Sequence, residues 1–240
     1  MATYVQTKAV VLGHRELAEH DRLYTLFTEA RGKLEVRVRG ARKLLSKLSP
    51  PLASIGVVRA LLYEGRSRPL LLGVESWARF PETNVTLWRA RFAARFLRLV
   101  DLSTRTEARD PELFHLLTDA LAGVEHASPE RIGTLRDAFI LKLLSHAGYR
   151  PELDRCVGCR RLETDSFSAA HGGAACRTCA AGDLTAVPVD TADLEALRAH
   201  TGLPLAAGAL LPPRDLGAIT QSLLRYRLET PLWFPAFPLS

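Results

Sequence analysis

Four cysteines set the strongest constraint on what this chain can become. Cys156 and Cys159 form one C-x2-C pair and Cys176 and Cys179 form a second, and the 240 residues hold no other cysteine. The pattern C-x2-C-x16-C-x2-C fits a four-thiolate zinc site. Each pair offers two soft ligands on a tight turn, and a zinc ion takes four of them as a tetrahedron. With every position filled by thiolate, no coordination place remains for water or substrate. Such a centre holds structure together and does no chemistry. Two structural disulfides are the weaker alternative. Residues 1–7 carry no apolar core of a secretory signal, and a chain without one is expected in a reducing compartment. A redox C-x2-C accounts for only one pair at a time, whereas a single metal accounts for both.

Charge is the second constraint. The chain carries a net +6. Between Arg31 and Lys47 stand Arg31, Lys33, Arg37, Arg39, Arg42, Lys43 and Lys47 against one acid, Glu35, an excess equal to that of the whole chain. A basic patch on a neutral body is the electrostatic footprint of nucleic-acid binding. Side chains two apart on a strand point the same way, so Lys33, Arg37 and Arg39 share a face, with alternate positions about 6.6 Å apart. That spacing is close to the separation of successive phosphates. Arg42, Lys43 and Lys47 extend the patch beyond Gly40. Contacts of this kind give affinity without sequence preference and weaken with salt. Tyr24 and Tyr63 are candidate stacking planes for bases, with core packing the favoured reading of both. Arg91, Arg95 and Arg98 recur on one helical face, a solvated face or a second anion or partner site.

The period of the apolar residues divides the chain. Residues 8–12, 22–28, 33–39, 55–63 and 70–74 read as five strands, clearest where Leu34, Val36 and Val38 alternate with Lys33, Glu35, Arg37 and Arg39. Turns are expected at residues 30–32 and 64–66. Five short strands, with the basic segment between the third and fourth, suit a small closed or nearly closed barrel of the OB type, and other small barrels, SH3-like for example, also fit the count. Residues 81–84 mark a boundary, after which Val85, Trp88, Phe92, Phe96 and Leu99 recur at helical spacing. Asp110-Pro111-Glu112 and Ser128-Pro129-Glu130 each read as a helix start: a capping residue, a proline at the first helical position, then an acid at the positive end of the dipole. The helices are expected to end near Glu125 and, before Gly148, near His146. The expectation is an α+β multidomain chain: an OB-type barrel over 1–80, a helical domain over 81–150, a zinc module over 151–188 inserted into it, and the helical return with the tail over 189–240. The tail holds Trp233, Phe234 and Phe237, expected to pack on the body.

Catalytic patterns are missing. There is no phosphate loop, no G-x-G-x-x-G and no G-x-S-x-G elbow. His14-Arg15-Glu16 matches the H-x-E of zinc deaminases, but Arg155 and Ala175 stand where those enzymes have proline before the cysteines. His171, between the pairs, is a minor candidate ligand. No stretch approaches the roughly 20 apolar residues of a membrane span. The chain is read as a cytoplasmic, nucleoid-associated binding protein and not an enzyme, with a protein-interaction scaffold of incidental DNA affinity as the alternative.

Several segments together resemble one family. Glu19-His20-Asp21-Arg22-Leu23-Tyr24-Thr25-Leu26-Phe27-Thr28, then Gly32-Lys33 and Arg39-Gly40-Ala41-Arg42-Lys43, resemble the opening of the bacterial RecO family of DNA repair proteins. Pro111-Glu112-Leu113-Phe114, the run from Leu144 through Gly148 and Pro151 to Cys156-Val157-Gly158-Cys159, Phe167-Ser168, and Gly172-Gly173 before Cys176 follow in the same order. Ala18 departs from the pattern, where members often carry glycine. The resemblance implies an OB domain, a helical domain and an inserted zinc module. It implies binding of ssDNA and dsDNA, annealing of complementary strands, and help to RecR in loading RecA onto strands coated by SSB, all without nucleotide hydrolysis. Members also bind the acidic C-terminal tail of SSB on the helical domain, for which the Arg91, Arg95 and Arg98 face is the candidate here. Some members lack the cysteines, which separates the metal from the shared activity.

Overall fold

The first strand, β1 (Thr3–Glu16), is long enough to serve two neighbours. Its first half pairs antiparallel with β4 (Gly56–Glu64) and its second half with β2 (Arg22–Thr28), with a register shift between Val11 and Gly13 where the strand bends. This is a computed structural model, and it describes residues 3–17, 19–43, 45–65 and 67–228. Ala18, the expected turn residue Arg66, and the tail with Trp233, Phe234 and Phe237 lie outside them. A tight turn at residues 29–31 leads from β2 into β3 (Gly32–Val38), and β5 (Leu70–Arg79) pairs with β4. The strands close a barrel in the order β1-β2-β3-β5-β4. The closing join is parallel and meets at Arg37 opposite Leu70, with the Arg37 N–H on the Pro69 carbonyl at 2.9 Å.

Alternation places Tyr24, Leu26, Leu34, Val36, Val38, Val58, Ala60, Leu62 and Leu71 in one interior cluster. Ala41 and Leu52 join it, so the β3–β4 link, with its short helix α1 (Ser49–Ala53), folds back onto the barrel core. β2 is buried on both faces: Leu23 and Phe27 point out of the barrel yet are 1% and 0% exposed. Helices account for this. After α2 (Pro81–Val85) come α3 (Leu87–Ser103) and α4 (Pro111–His126). Phe114 of α4 lies 6.0 Å from Phe27, ring centre to ring centre. Asp110 caps α4 as its sequence predicts, its carboxylate accepting from the Leu113 N–H at 3.0 Å. At the other end of α4 the buried Glu125 carboxylate accepts from the N–H of Glu82 (3.0 Å) and from the N–H and hydroxyl of Thr83 (2.8 and 2.7 Å), pinning α2. The expected apolar stripe begins later than the sequence pattern suggests. Val85 closes α2 and is 78% exposed, because the helix breaks at Thr86 and rotates its face.

The chain forms two compact units, Met1–Glu125 and His126–Ser240, so the helices preceding α5 group with the barrel. In the second unit, residues 129–131 form a turn, the Arg131 and Ile132 N–H groups both bonding the Ser128 carbonyl, and α5 (Ile132–His146) starts after it. α5 is buried nearly all round, with Leu135, Ala138, Phe139, Ile140, Leu141, Leu143 and Leu144 inaccessible, and is the central helix of this unit. It ends at His146, and Gly148 follows with a φ of 87°, which suits a residue without Cβ. Next come β6 (Ser166–Ser168), β7 (Gly173–Ala175), α6 (Arg177–Ala180) and β8 (Ala186–Pro188), the strands ordered β7-β6-β8 around the buried Phe167. α7 (Thr191–Gly202) opens on a reciprocal cap between Asp190 and Asp193. A short α8 (Leu205–Gly208) and α9 (Gly217–Leu228) follow, and all three pack on α5. The buried Asp137 of α5 is held in a two-point pair with Arg136 and accepts from the Thr220 hydroxyl of α9 at 2.8 Å.

Candidate nucleic-acid interface and metal centre

β3 alternates as its sequence predicts, with Leu34, Val36 and Val38 inward and Lys33, Glu35 and Arg37 outward. Outward of the barrel is not everywhere solvent, however. Lys33 is a correction to the expected patch: its side chain is only 15% exposed. Its ammonium donates to the Asp101 carbonyl (2.6 Å) and lies 3.3 Å from the Asp101 carboxylate, in the last turns of α3. A lysine held this way is a strut between barrel and helix. Arg37 is also engaged. Its guanidinium grips Asp21 through Nε (2.9 Å) and Nη2 (2.6 Å), while the other Asp21 oxygen accepts the Gly40 N–H at 2.9 Å. That Gly40 bond and the Arg37 fork hold the Asp21 carboxyl below the usual carboxylate range.

Asp21 thereby fixes the start of the loop after β3, and the cations of that loop are the ones presented. Arg39, Arg42, Lys43 and Lys47 are all exposed. Arg42 reaches Glu16 at 3.4 Å, and among the described residues Arg39, Lys43 and Lys47 form no ion pair. No acid stands between Glu35 and Glu64 in the sequence, so nothing within the loop itself neutralises them. Leu45 in the same loop is 93% exposed. The patch is thus centred on the loop, with Lys33 withdrawn and Arg37 serving as a brace.

The α3 cations do not form one open stripe. Arg91 is exposed, Arg95 is half-buried with its guanidinium 5.6 Å from the Phe92 ring centre, and Arg98 is bound to Asp101 at 2.8 Å. Of the two candidate stacking tyrosines, Tyr24 lies in the barrel interior at 1% exposure, as the core reading of it expects. Tyr63 is half-buried against the exposed Tyr4, ring centres 5.6 Å apart. An aromatic group that pattern reading missed is Trp77, 50% exposed, with the Arg59 guanidinium at 4.2 Å and the Lys8 ammonium at 5.1 Å from its ring centre. Strand alternation extended past Val74 is the signal that leads to it. A bulge opposite Val57 and Val58 interrupts that signal.

In the second unit the four cysteines converge. Their sulfurs lie within 4.8 Å of one another, and Cys159 and Cys176 are 3.7 Å apart. A tetrahedral ion with bonds of about 2.3 Å to sulfur separates its ligands by about 3.8 Å, so the set fits zinc. The first pair sits on a turn closed by Arg160 N–H to Cys156 carbonyl at 2.9 Å, with Arg160 at φ 64°. The second leads into α6. Gly158 is required by proximity: a Cβ there would lie 2.8 Å from the Cys179 sulfur. Burial opposes ionisation of Cys156, but the N–H groups of Cys159, Cys176 and Gly158 outweigh it and bring the thiol down to about 6. The sulfurs of Cys176, Cys156 and Cys159 push Cys179 up to about 12. Four thiolates at this separation need a cation between them. His171 takes no part, since its Nδ1 is 2.9 Å from the Ser168 hydroxyl and 3.4 Å from Asp183. Ser168 is fully buried and gives its hydroxyl hydrogen to Asp183, so this trio ties the strands together and presents no nucleophile.

Comparison with known proteins agrees with this architecture. Residues 1–75 match the family described as Recombination protein O N terminal, and residues 87–233 match Recombination protein O C terminal. A barrel with packed helices and a four-cysteine centre, matched in both parts, makes this a protein of DNA recombination and repair. Similar chains include the DNA repair protein RecO of Roseiflexus sp., 33% identical over 228 residues (93% of this chain and 80% of that one). That of Myxococcus xanthus is 35% identical over 223 residues (90% and 87%), and that of Pelotomaculum thermopropionicum 30% identical over 236 (95% and 91%). The chain belongs to the RecO family. No helix among the described residues is long and apolar enough to cross a membrane.

Proposed function

We propose that this chain is a non-catalytic recombination mediator. Its barrel is of the OB type and binds ssDNA and dsDNA. It brings complementary strands together for annealing, and it assists RecR in loading RecA onto SSB-coated DNA in the cytoplasm. The observation that carries this reading is the acid-free loop after β3, with Arg39, Arg42, Lys43 and Lys47 exposed on a brace of Asp21 and Arg37. Two strands repel through their phosphates; cations that hold both lower that cost, and base pairing drives the rest. The cysteines hold one structural zinc, Cys156, Cys159, Cys176 and Cys179 being its ligands, which orders a module too small to own a large core. Arg91 and its neighbours Arg95 and Arg98 remain the proposed contact for the acidic SSB tail.

The test is charge reversal of Arg39, Arg42, Lys43 and Lys47 to Glu. Four phosphate contacts to a single strand carry a salt slope of about −3, or about 50-fold in affinity between 50 and 200 mM salt. The reversed variant is expected to lose that slope and its annealing while unfolding at the wild-type temperature. Unchanged affinity and slope in a folded variant overturn the reading in favour of a protein scaffold with incidental DNA affinity.

A further inference from the structure

The outer surface of the barrel is divided by its own helices. Outward-facing Val10, Leu23, Phe27 and Val57 are at most 4% exposed, and Lys33 is tied to α3. The flank of β1, β4 and β5 is different. There the register sets Tyr4 opposite Tyr63, Gln6 opposite Leu61 and Lys8 opposite Arg59, three rungs whose side chains point the same way. Tyr4 is 67% exposed, Leu61 38%, Leu72 43% and Trp77 50%. The Tyr4–Tyr63 ring pair marks one end of the flank, and Trp77 with its two attendant cations marks the other. Four residues of strand separate them, about 13 Å.

From this we propose a second binding surface, for single-stranded nucleic acid, on the outer flank of β1, β4 and β5, with Trp77 and the Tyr4–Tyr63 pair stacking bases and Lys8 and Arg59 meeting phosphates. It rests on the DNA-binding reading above but uses none of the residues of the loop after β3. The chemistry favours a strand over a protein partner. The rings are separated by one mixed rung, Gln6 opposite Leu61, and two cations lie over Trp77. Burying this face under an apolar partner would strip water from Lys8, Arg59 and Glu75 together, whereas a solvated polyanion leaves them wet. Glu75 pairs with Arg59 at 2.8 Å and Glu29 approaches Lys8 at 4.0 Å; a phosphate has to compete with both, so stacking supplies the larger share. Only unpaired bases offer free π-faces, which excludes a duplex from this flank. Two separate surfaces on one barrel would let a loop-bound strand and a flank-bound strand be held at once.

The experiment uses the full chain, an oligothymidylate of about 20 nucleotides, and an abasic strand of equal length. Oligothymidylate is expected to quench tryptophan emission in the wild type and far less in Trp77→Phe. Trp77→Ala is expected to weaken oligothymidylate binding by about tenfold and abasic binding hardly at all, with Trp77→Phe restoring most of the loss. Equal weakening for both strands overturns the proposal, as does emission that is indifferent to the oligonucleotide. If Trp77→Ala binds as the wild type does while the loop reversal abolishes binding, the flank falls and the loop reading stands. If the wild type binds neither strand, both fall.

Discussion

Replacing Glu125 by alanine is expected to destabilise the first unit by about 4 kcal/mol. The carboxylate accepts from the Glu82 N–H and from the N–H and hydroxyl of Thr83. Glu82 is exposed, so water replaces its lost acceptor. Thr83 is completely buried, so both of its donors are left without one. A buried donor without an acceptor costs about 1–3 kcal/mol, and two of them give about 2–6. Glu125→Gln keeps one oxygen, which can serve Thr83, and turns an amide toward Glu82, so its loss is expected near 1–2 kcal/mol. The assay is urea unfolding followed by tryptophan emission, because Arg89 links the site to a reporter: it donates to the Val124 and Glu125 carbonyls and lies 4.5 Å from the Trp88 ring centre. With a slope of about 2 kcal/mol per molar urea, the alanine variant moves the midpoint down by about 2 M. A loss below about 1 kcal/mol for alanine, or equal losses for alanine and glutamine, would refute the reasoning that unmet Thr83 donors set the cost.

Two further outcomes follow from the site. Asp21 has its carboxyl lowered by the Gly40 N–H and then by Arg37, so its stabilising contribution is present above the ordinary carboxylate pKa of about 3.9 and fades as pH falls below it. Thermal midpoints of the wild type and Asp21→Asn should therefore differ at pH 7 and converge below pH about 4; a gap that is constant with pH sinks that account. Cys156→Ser combined with Cys176→Ser, or removal of metal by chelation, should lower the stability of the second unit more than annealing per folded molecule, measured by unfolding and strand annealing in parallel, and a stable double variant that has lost only annealing contradicts a structural role.

Much of the barrel and the convergence of the four cysteines were legible in the sequence, for different reasons. The cysteine spacing constrains local geometry directly, so no tertiary information was needed. β3 was legible because it alternates over its own length, and the other strands as short apolar runs. Lys33 was misplaced by the same logic: alternation tells which side chains leave the barrel, but not that α3 waits outside with Asp101. Leu23 and Phe27, apolar and on that outward face, were the available hint that helices cover it. Trp77 was missed because it is itself the extra residue of a bulge between Ser76 and Ala78, beyond the strand as read to Val74. α5 reads as amphipathic from Ile132, Leu135, Phe139 and Leu143, yet its other face is also covered, and Ala138 and Leu141 are too ordinary in composition to announce that α7, α8 and α9 surround it.

The join between β3 and β5 has a consequence for how the barrel fails. Four of its seams are antiparallel ladders running most of a strand's length, whereas the fifth is fastened at Arg37 and Leu70, with Thr106 and Glu107 bridging lower down to Lys33. A cask hooped along four staves and tacked at the fifth parts at the tack, since opening there breaks the fewest backbone bonds. The cationic loop springs from that least secured stave, so its anchorage rests on the grip of one aspartate more than on the weave of the sheet.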